Sequence, residues 1–298
     1  MPVIRIVHTT EYRYAHKVRF SPHRLMLRPR DSFDLTVHDA GLGITPPAGL
    51  ARWAHDVFGN SVCLLDFGDA ESDTLRIVST LDLEHFPSDP KQPEATIDPG
   101  AELYPFRYDA DEFPDLARSL ERQYRDPRGT LDVWALRFVP REQPRTLDVL
   151  VAMTRAIQKE FTYEGREAEG TNPPLVTLST GRGACRDLAL LMMEAARSLG
   201  FAARFVSGYL YDPDMKNGEA MVGGGATHAW CSVYIPGAGW VEFDPTNGLV
   251  AGRNLIRVCT ARTPEQAVPI SGGFLGQPDD FIDLTVDVAV SVTQPSGG

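Results

Sequence analysis

The chain has 298 residues, of which 43% are hydrophobic and 23% are charged, and its formal net charge at pH 7 is −11. This composition is typical of a soluble globular protein long enough for two domains, and the lack of a Lys/Arg-rich patch argues against nucleic acid or an anionic membrane as a partner. No stretch approaches the roughly 18 consecutive apolar residues that a membrane-spanning helix needs. The sequence therefore predicts a cytoplasmic protein that binds neither nucleic acid nor membrane.

Residues 1–86 are predicted to form an antiparallel β-sandwich-like domain. The runs 3–14, 61–67 and 74–83 are rich in β-branched and aromatic residues and are bounded by Gly, Asp and Pro, as short strands are. The histidines of this region lack the spacing of metal ligands, so we interpret each as a surface residue or a hydrogen-bonded polar group. They are His8, His16, His23, His38, His55 and His85.

A proline-rich segment, residues 87–115, is predicted to be a linker or an extended crossing segment, and a second domain is assigned to residues 116–260. Helical patterns occupy residues 113–120 and 146–160, with Thr146 as a predicted N-cap. The last part, residues 261–298, alternates apolar and polar residues over 281–292. We expect this strand to return to the N-terminal domain, although a sheet of the second domain is an alternative.

An amphipathic helix is predicted to begin near Cys185, after a loop that contains Gly181 and Gly183, and to end at Gly200. Its predicted apolar stripe contains Leu188, Leu191, Met192, Ala195 and Leu199. A thiol in the first helical turn lies where free N–H groups and the helix dipole favour a thiolate. The alternative is an inert core cysteine, because most free cysteines are buried and unreactive.

The four cysteines are far apart and form no Cys-x-x-Cys pair, which argues against a disulfide framework and a structural zinc site. They are Cys63, Cys185, Cys231 and Cys259. No run has the spacing of a calcium loop. We therefore expect neither a metal nor a cofactor, and a reactive thiol stays possible.

A β-hairpin follows the helix and a Gly-rich loop, residues 212–227, which has the composition of a lid. Alternation in the outgoing strand places His228 and Trp230 on one face and Cys231 on the other. Asp244 ends the return strand. Counted from the turn, His228 lies further out than Asp244, so their contact requires a bulge, a shifted turn or a side-chain reach.

A thiol acyltransferase requires a nucleophilic thiolate, an imidazole that moves the proton, and a group that orients the imidazole. Cys185, His228 and Asp244 supply these three groups in chain order. Asp187, in the first turn of the cysteine helix, is predicted to cap that helix rather than to take part in the chemistry.

Several blocks of the sequence resemble the bacterial transglutaminase-like cysteine enzymes. In the second domain these blocks are GACRDLA (183–189), AARSLGFAARFVSGY (195–209), HAW (228–230) and GWVEFDPTNG (239–248). Residues 8–14, 25–30 and 56–60 resemble the β domain that precedes the catalytic core in that family.

The resemblance implies a papain-like α+β catalytic domain with Cys185 as nucleophile, His228 as general acid and base, and Asp244 as orienting carboxylate. Many members have glutamine where this chain has Arg186, so a contribution of that side chain to oxyanion binding would differ in charge here. The backbone N–H of Cys185 is the expected oxyanion donor. Trp230 has two possible interpretations, either as a wall of the substrate site or as a core residue.

The predicted function is amide acyl transfer through a Cys185 thioester, on a peptide or protein substrate. The same three residues serve hydrolysis, as in a cysteine protease or amidase, and amine cross-linking by a protein-glutamine transglutaminase, and the two differ in how well the site excludes water and binds an amine. We place hydrolysis first, because the chain resembles a cytosolic bacterial member of the family. A non-enzymatic binding module on the same fold is the alternative of another class. The sequence leaves the oligomeric state open.

Overall fold

A computed structural model of the chain describes residues 3–87, 92–140, 142–166, 169–211, 225–250 and 254–293. Its strands are β1 (Val3–Phe20), β2 (His23–Leu25), β3 (Leu35–Thr45), β4 (Leu50–His55), β5 (Ser61–Asp66), β6 (Glu71–His85), β7 (Thr162–Tyr163), β8 (Arg182–Gly183), β9 (Ala203–Leu210), β10 (Thr227–Ile235), β11 (Gly239–Asp244), β12 (Leu249–Val250), β13 (Leu255–Ala261), β14 (Ile270–Ser271), β15 (Phe274–Leu275) and β16 (Phe281–Thr293). Its α-helices are α1 (Gln92–Thr96), α2 (Phe113–Leu120), α3 (Thr130–Leu136), α4 (Thr146–Glu160), α5 (Pro174–Thr180) and α6 (Cys185–Ser198).

Two antiparallel sheets form the N-terminal β domain. The long sheet has the order β15-β1-β6-β3, with β16 also paired to β1, and the short sheet has the order β14-β2-β5-β4. Alternate residues of β1, β5 and β6, including Phe20, Leu65 and Ile77, are buried between the two sheets. Because period-2 apolar residues need a facing layer, the sandwich-like packing follows from the alternation in the sequence.

The last described strands, within residues 270–293, pair with strands of this β domain. β16 runs antiparallel to β1 from Val3 opposite Thr293 to Tyr14 opposite Phe281. β14 and β15 pair with β2 and β1 in the same domain. The long sheet therefore contains strands from both ends of the chain.

The second domain is built on the hairpin sheet, which has the strand order β12-β11-β10-β9-β13. α6 packs against one face of this sheet, and its side chains share a buried core with Ala229, Cys231 and Val233 of β10. α3, α4 and α5 surround α6 on its other sides. The predicted single apolar stripe on α6 is therefore an underestimate, because the helix is enclosed by other elements and even Ala189, Met193 and Ala196 are buried.

Thr146 is not a helix cap, in contrast to the prediction. The cap position of α4 belongs to Arg145, and Thr146 is the first helical residue. Its buried hydroxyl donates to the backbone oxygen of Ala101 at 2.6 Å. The side chain thus ties the proline-rich segment to α4 instead of closing the helix end.

The two domains share an apolar interface in which Ile4 and Ile6 of β1 meet Tyr209 of β9 and Ile256 of β13. A buried polar group lies beside it, because His8 hydrogen-bonds through Nδ1 to the Tyr209 hydroxyl at 3.0 Å and through Nε2 to Thr10 Oγ1 at 3.0 Å. Burial lowers the pKa of His8 to about 4 despite the opposing charge of Asp287. His8 is therefore a neutral, hydrogen-bonded residue of the interface.

The motif at residues 56–60 connects the domains through the Asn60 side-chain amide. Asn60 Nδ2 donates to the Thr260 oxygen at 2.8 Å, and its Oδ1 accepts from the Thr260 N–H at 2.9 Å. Asp56 holds the turn by accepting the Phe58 and Asn60 backbone N–H groups, each at 2.9 Å. β13 is an edge strand, and the Asn60 side-chain amide makes the two backbone hydrogen bonds that a neighbouring strand would otherwise make there.

Replacing Asn60 with alanine is expected to lower the free energy of unfolding by about 1–3 kcal/mol, because it leaves the partly buried N–H and C=O of Thr260 without their side-chain partners. Guanidinium-induced unfolding followed by circular dichroism measures this change. His55→Ala, on the exposed side of β4, is the matched control and should change the stability by less than about 0.5 kcal/mol. Equal effects of the two variants would contradict the docking role of Asn60.

Candidate functional site

Cys185 is the first residue of α6, in a turn that the preceding residues build. Gly181 ends α5 in the left-handed region with φ of 65°. β8 then pairs parallel with β7, with Tyr163 opposite Gly183. α6 begins directly after this short strand pair. Because Cys185 is the first helical residue, its N–H has no acceptor within the helix.

The Asp187 carboxylate holds the turn in place. It is fully buried and accepts the Ala184 N–H at 2.9 Å, the Asn172 N–H at 2.7 Å and Arg166 Nη2 at 3.1 Å. Gly183 makes this possible, since a Cβ there would lie 2.8 Å from the Asp187 Cβ. Asp187 therefore caps the helix, and Gly183 provides space for that cap.

His228 and Asp244 are in contact at the end of the hairpin that lies away from its turn. His228 Nε2 lies 2.9 Å from Asp244 Oδ2, and both side chains are fully buried. The register pairs Cys231 with Phe243. Measured from this pair, Asp244 lies one residue further from the turn and His228 lies three residues further. The two side chains are on the same face of the sheet, so His228 reaches Asp244 diagonally. A diagonal side-chain reach accounts for the unequal distances from the turn without a bulge.

Four hydrogen bonds hold the Asp244 carboxylate in its ionised form. Besides His228, it accepts the Thr246 N–H at 2.9 Å, the Asn247 N–H at 3.3 Å and Asn247 Nδ2 at 2.8 Å. Burial acts to raise its pKa, but the charge and hydrogen bonds of His228, with those of Asn247 and Thr246, outweigh burial and lower the pKa. Asp244 is thus a fixed negative charge beneath the imidazole.

The His228 imidazole interacts with a carboxylate on one side and a thiol on the other. Burial acts to lower its pKa, but Asp244, followed by the interaction with Cys185, raises the pKa to about 10. Because Nε2 is engaged by Asp244, Nδ1 is the nitrogen available to the thiol; this buried atom makes no standard hydrogen bond within the described residues. The site therefore holds an imidazolium beside Cys185 at neutral pH.

The raised pKa of His228 predicts a pH-dependent stability. A group whose pKa rises on folding contributes its full stabilisation below its unfolded pKa of about 6.5, and this contribution is lost as the pH rises toward the folded value. The stability difference between the parent protein and His228→Gln should therefore shrink from pH 6.5 toward pH 10. Guanidinium unfolding at several pH values measures it, with the exposed His55→Gln as control. A difference independent of pH would contradict the assigned imidazolium.

Trp230 lies behind His228 rather than at an open wall of the site. Its indole has no exposed surface and stacks on the imidazole, with ring centroids 6.0 Å apart and an interplanar angle of 28°. Gly208 provides the space, because a Cβ there would lie 2.7 Å from the indole Cη2 and 2.1 Å from the Ile256 oxygen. Of the two interpretations of Trp230, the structure places it in the core beside the imidazole.

Arg186 binds the loop that precedes α5. Its Nε donates to the Gly170 oxygen at 2.7 Å and its Nη2 to the Arg166 oxygen at 3.0 Å. Arg166 in turn donates to the Gly170 oxygen and to Asp187. The two guanidinium groups thus hold this loop against the start of α6.

Tyr163 also lies at the site, although the sequence analysis did not single it out. Burial and the charge of Cys185 raise its pKa, and Arg186 lowers it, so the phenol stays protonated near the thiol. Its side chain is 37% exposed and remains accessible to a ligand. A two-residue strand has no periodicity, so no pattern in the sequence points to this residue.

The remaining cysteines lie outside this site and are less exposed than Cys185, which is itself buried but 9% exposed. Burial raises the pKa values of Cys231 and Cys259 to about 12 each.

No group of three or more potential metal ligands occurs among the described residues, and no helix there is long and apolar enough to cross a membrane. The predicted lid, residues 212–227, lies for the most part outside the described residues.

The buried Asp244, His228 and the thiol of Cys185 at the start of α6 thus lie together on an α+β fold, and comparisons with known proteins show what the chain is similar to. The Transglutaminase-like superfamily profile matches residues 134–245, and that of the Bacterial transglutaminase-like N-terminal region matches residues 4–84. Residues 134–245 therefore form a transglutaminase-like core, and residues 4–84 match the N-terminal region found in bacterial transglutaminase-like proteins.

Relatives match the chain over most of its length. The uncharacterized protein Rv2569c of Mycobacterium tuberculosis is 28% identical over 294 residues, which cover 95% of this chain and 91% of the relative. The uncharacterized protein ML0607 of Mycobacterium leprae is 25% identical over 288 residues, with coverage of 96% and 98%. A Cytophaga hutchinsonii protein provisionally named a cysteine protease has a TM-score of 0.70 and 18% identity, over 100% of this chain and 92% of that chain. The predicted α+β fold class, with a strand-rich N-terminal region, is confirmed.

Proposed function

We propose that the protein transfers the acyl group of a peptide or protein amide through a thioester on Cys185, with water as the principal acceptor. The observation that carries this proposal is the buried His228, which bonds Asp244 through Nε2 and has Nδ1 available to the Cys185 thiol. A buried ion pair that is linked to a thiol at a helix start is the arrangement that thiol acyl transfer requires.

The first half-reaction forms the thioester. The Cys185 thiolate attacks the amide carbonyl carbon, and the C=O π electrons move to the oxygen. The backbone N–H of Cys185 is the candidate donor to that oxyanion, and the Tyr163 hydroxyl is a second candidate. His228 then gives its Nδ1 proton to the amide nitrogen, the C–N bond breaks, and the amine leaves.

The second half-reaction releases the acyl group. Neutral His228 takes a proton from water, whose oxygen attacks the thioester carbonyl, and the thiolate leaves with the C–S electrons. An amine in place of water would give a new amide by the same steps. We place water first because cross-linking also needs a site that holds an amine and excludes water.

p-Nitrophenyl acetate tests the proposal without knowledge of the natural substrate. We expect a burst of p-nitrophenolate equal to the concentration of Cys185, followed by slower turnover, with an acetyl group found on Cys185 by peptide mass analysis after acid quenching. Cys185→Ala should show no burst at an unchanged melting temperature. No burst from the folded parent protein would refute thioester chemistry and favour the binding-module alternative.

The acceptor is tested by adding putrescine during turnover. If water is the principal acceptor, acetate stays the main product and the rate is unaffected by the amine. A faster turnover with N-acetylputrescine as main product would overturn hydrolysis in favour of cross-linking, while leaving the thioester on Cys185 in place.

A further inference from the structure

A cavity of about 450 Å³ lies between the N-terminal β domain and the face of the hairpin sheet opposite α6. Asp34 and His85 line it from the β domain, and Arg204, Ser232 and Trp240 line it from the sheet. Its volume is within the range of small-molecule sites, and such sites commonly occur where two domains meet.

The cavity is separate from the Cys185 site. It extends to Ala238 and Gly239 at the turn of the β10–β11 hairpin, whereas His228 and Asp244 lie at the opposite end. Ser232 is four residues from His228 on β10, about 13 Å along the strand. The fully buried Trp230 fills the sheet face between them.

The acidic residues of the cavity are paired with Arg257. Its Nη1 lies 2.9 Å from Glu242 Oε1, and its Nη2 lies 3.2 Å from both oxygens of Asp34. Burial raises the pKa of Glu242, although Arg257 lowers it. Arg257 therefore pairs with both carboxyl groups of the lining.

Arg204 has no comparable partner. Its guanidinium lies over the Trp240 ring, 3.7 Å from the centroid, and no carboxylate among the described residues forms an ion pair with it. Burial lowers its pKa to about 10, which still leaves it protonated at neutral pH. A partly desolvated cation without a counter-ion is costly alone, and a bound anion would offset that cost.

The rest of the lining suits an organic ligand. Phe33 is 86% exposed at the rim and offers an apolar surface. Ser232 and Thr260 contribute hydroxyl groups. Burial lowers the pKa of His85, and Asp34 and Arg257 act on it in opposite directions, so it presents a neutral imidazole.

We propose that this cavity is a binding site for a small organic anion, with the anionic group on Arg204 and the apolar part against Phe33. The Arg204 guanidinium matches a carboxylate or a phosphate by paired N–H donation, while Trp240 holds it in position from the other side. The site does not depend on the chemistry at Cys185.

Ligand-observed NMR titration tests the site with 3-phenylpropionate, phenyl phosphate and the neutral 3-phenylpropanol, at constant ionic strength. We expect at least one anion to saturate, the alcohol not to bind, and Arg204→Met to weaken binding by about tenfold or more. A preference of the parent protein for the carboxylate or the phosphate then specifies the anionic group. Cys185→Ala should bind as the parent does.

Arg52→Met, at an exposed position of β4, is the matched control and should leave the affinity unchanged. Arg204→Lys keeps the charge and should bind more weakly than the parent but better than Arg204→Met, and it replaces Arg204→Met if the latter fails to fold. Three results would overturn the proposal: no anion saturates, the alcohol binds as tightly as the anions, or the Arg204 variants bind as the parent does.

Discussion

Iodoacetamide is expected to alkylate Cys185 of the folded protein at about pH 6 much faster than the other three cysteines. The physical reason is the neighbouring imidazole, since the pKa of His228 is raised to about 10 and its Nδ1 is available to the thiol. Cys63, Cys231 and Cys259 should remain unlabelled, because each is at most 2% exposed and burial raises its pKa. Peptide mass analysis across a pH series locates and quantifies the label.

His228→Gln is the decisive variant, because it keeps a polar side chain of similar size but removes the charge. We expect alkylation of Cys185 at pH 6 to slow by about 100-fold, in line with the loss of an activating base. Labelling of all four cysteines in denaturant shows that the reagent is active. If Cys185 reacts at the same rate in both proteins, the ion pair does not activate the thiol. If it stays unlabelled in the folded parent protein, the binding-module alternative gains support.

Replacing Asp244 with asparagine is expected to lower the turnover of p-nitrophenyl acetate by up to about 10⁴-fold, the effect of the same replacement in a Ser-His-Asp triad. Asn Oδ1 can still accept the Thr246 and Asn247 N–H groups, so the turn should persist. Its NH₂ group, however, would face His228 Nε2, which donates to Asp244 in the parent protein. The imidazole would then carry its proton on Nδ1, toward the thiol, and could not act as a base there.

Asp111→Asn, an exposed residue ahead of α2, is the matched control and should keep the parent turnover. Circular dichroism melting distinguishes a loss of orientation from a loss of folding. A folded Asp244→Asn variant with more than about one tenth of the parent turnover would contradict the assigned role, because that carboxylate's contribution is normally much larger. The pH profile should also change, since without Asp244 the pKa of His228 falls.

The local elements of the site were accessible to sequence reasoning. The 3.6-residue period and Gly200 predicted α6, which ends at Ser198 with Gly200 in the left-handed region at φ of 86°. The cap by Asp187 also follows from one residue's position in the first turn. These features depend on neighbours within a few residues, which is the range over which a sequence pattern is informative.

Contacts between residues that are far apart in the chain could not be predicted from the sequence pattern. Thr146 was predicted as a cap, but its hydroxyl bonds Ala101, which is 45 residues away in the chain. Tyr163 lies on a two-residue strand whose position depends on pairing with β8. The pairing of Asn60 with Thr260 spans 200 residues. No local propensity encodes such contacts, because they form only when separate elements pack.

By itself, the sequence determined the candidate residues for thiol chemistry and the local elements around them, because residue type, periodicity and turn chemistry are local properties. Only the tertiary structure decided that His228 reaches Asp244 diagonally and lies beside Cys185. The same packing raises the pKa of His228 and leaves Arg204 in a cavity without a carboxylate partner among the described residues. Burial and the distance between charges determine these properties, and both depend on the packing of the sheet, α6 and the N-terminal domain.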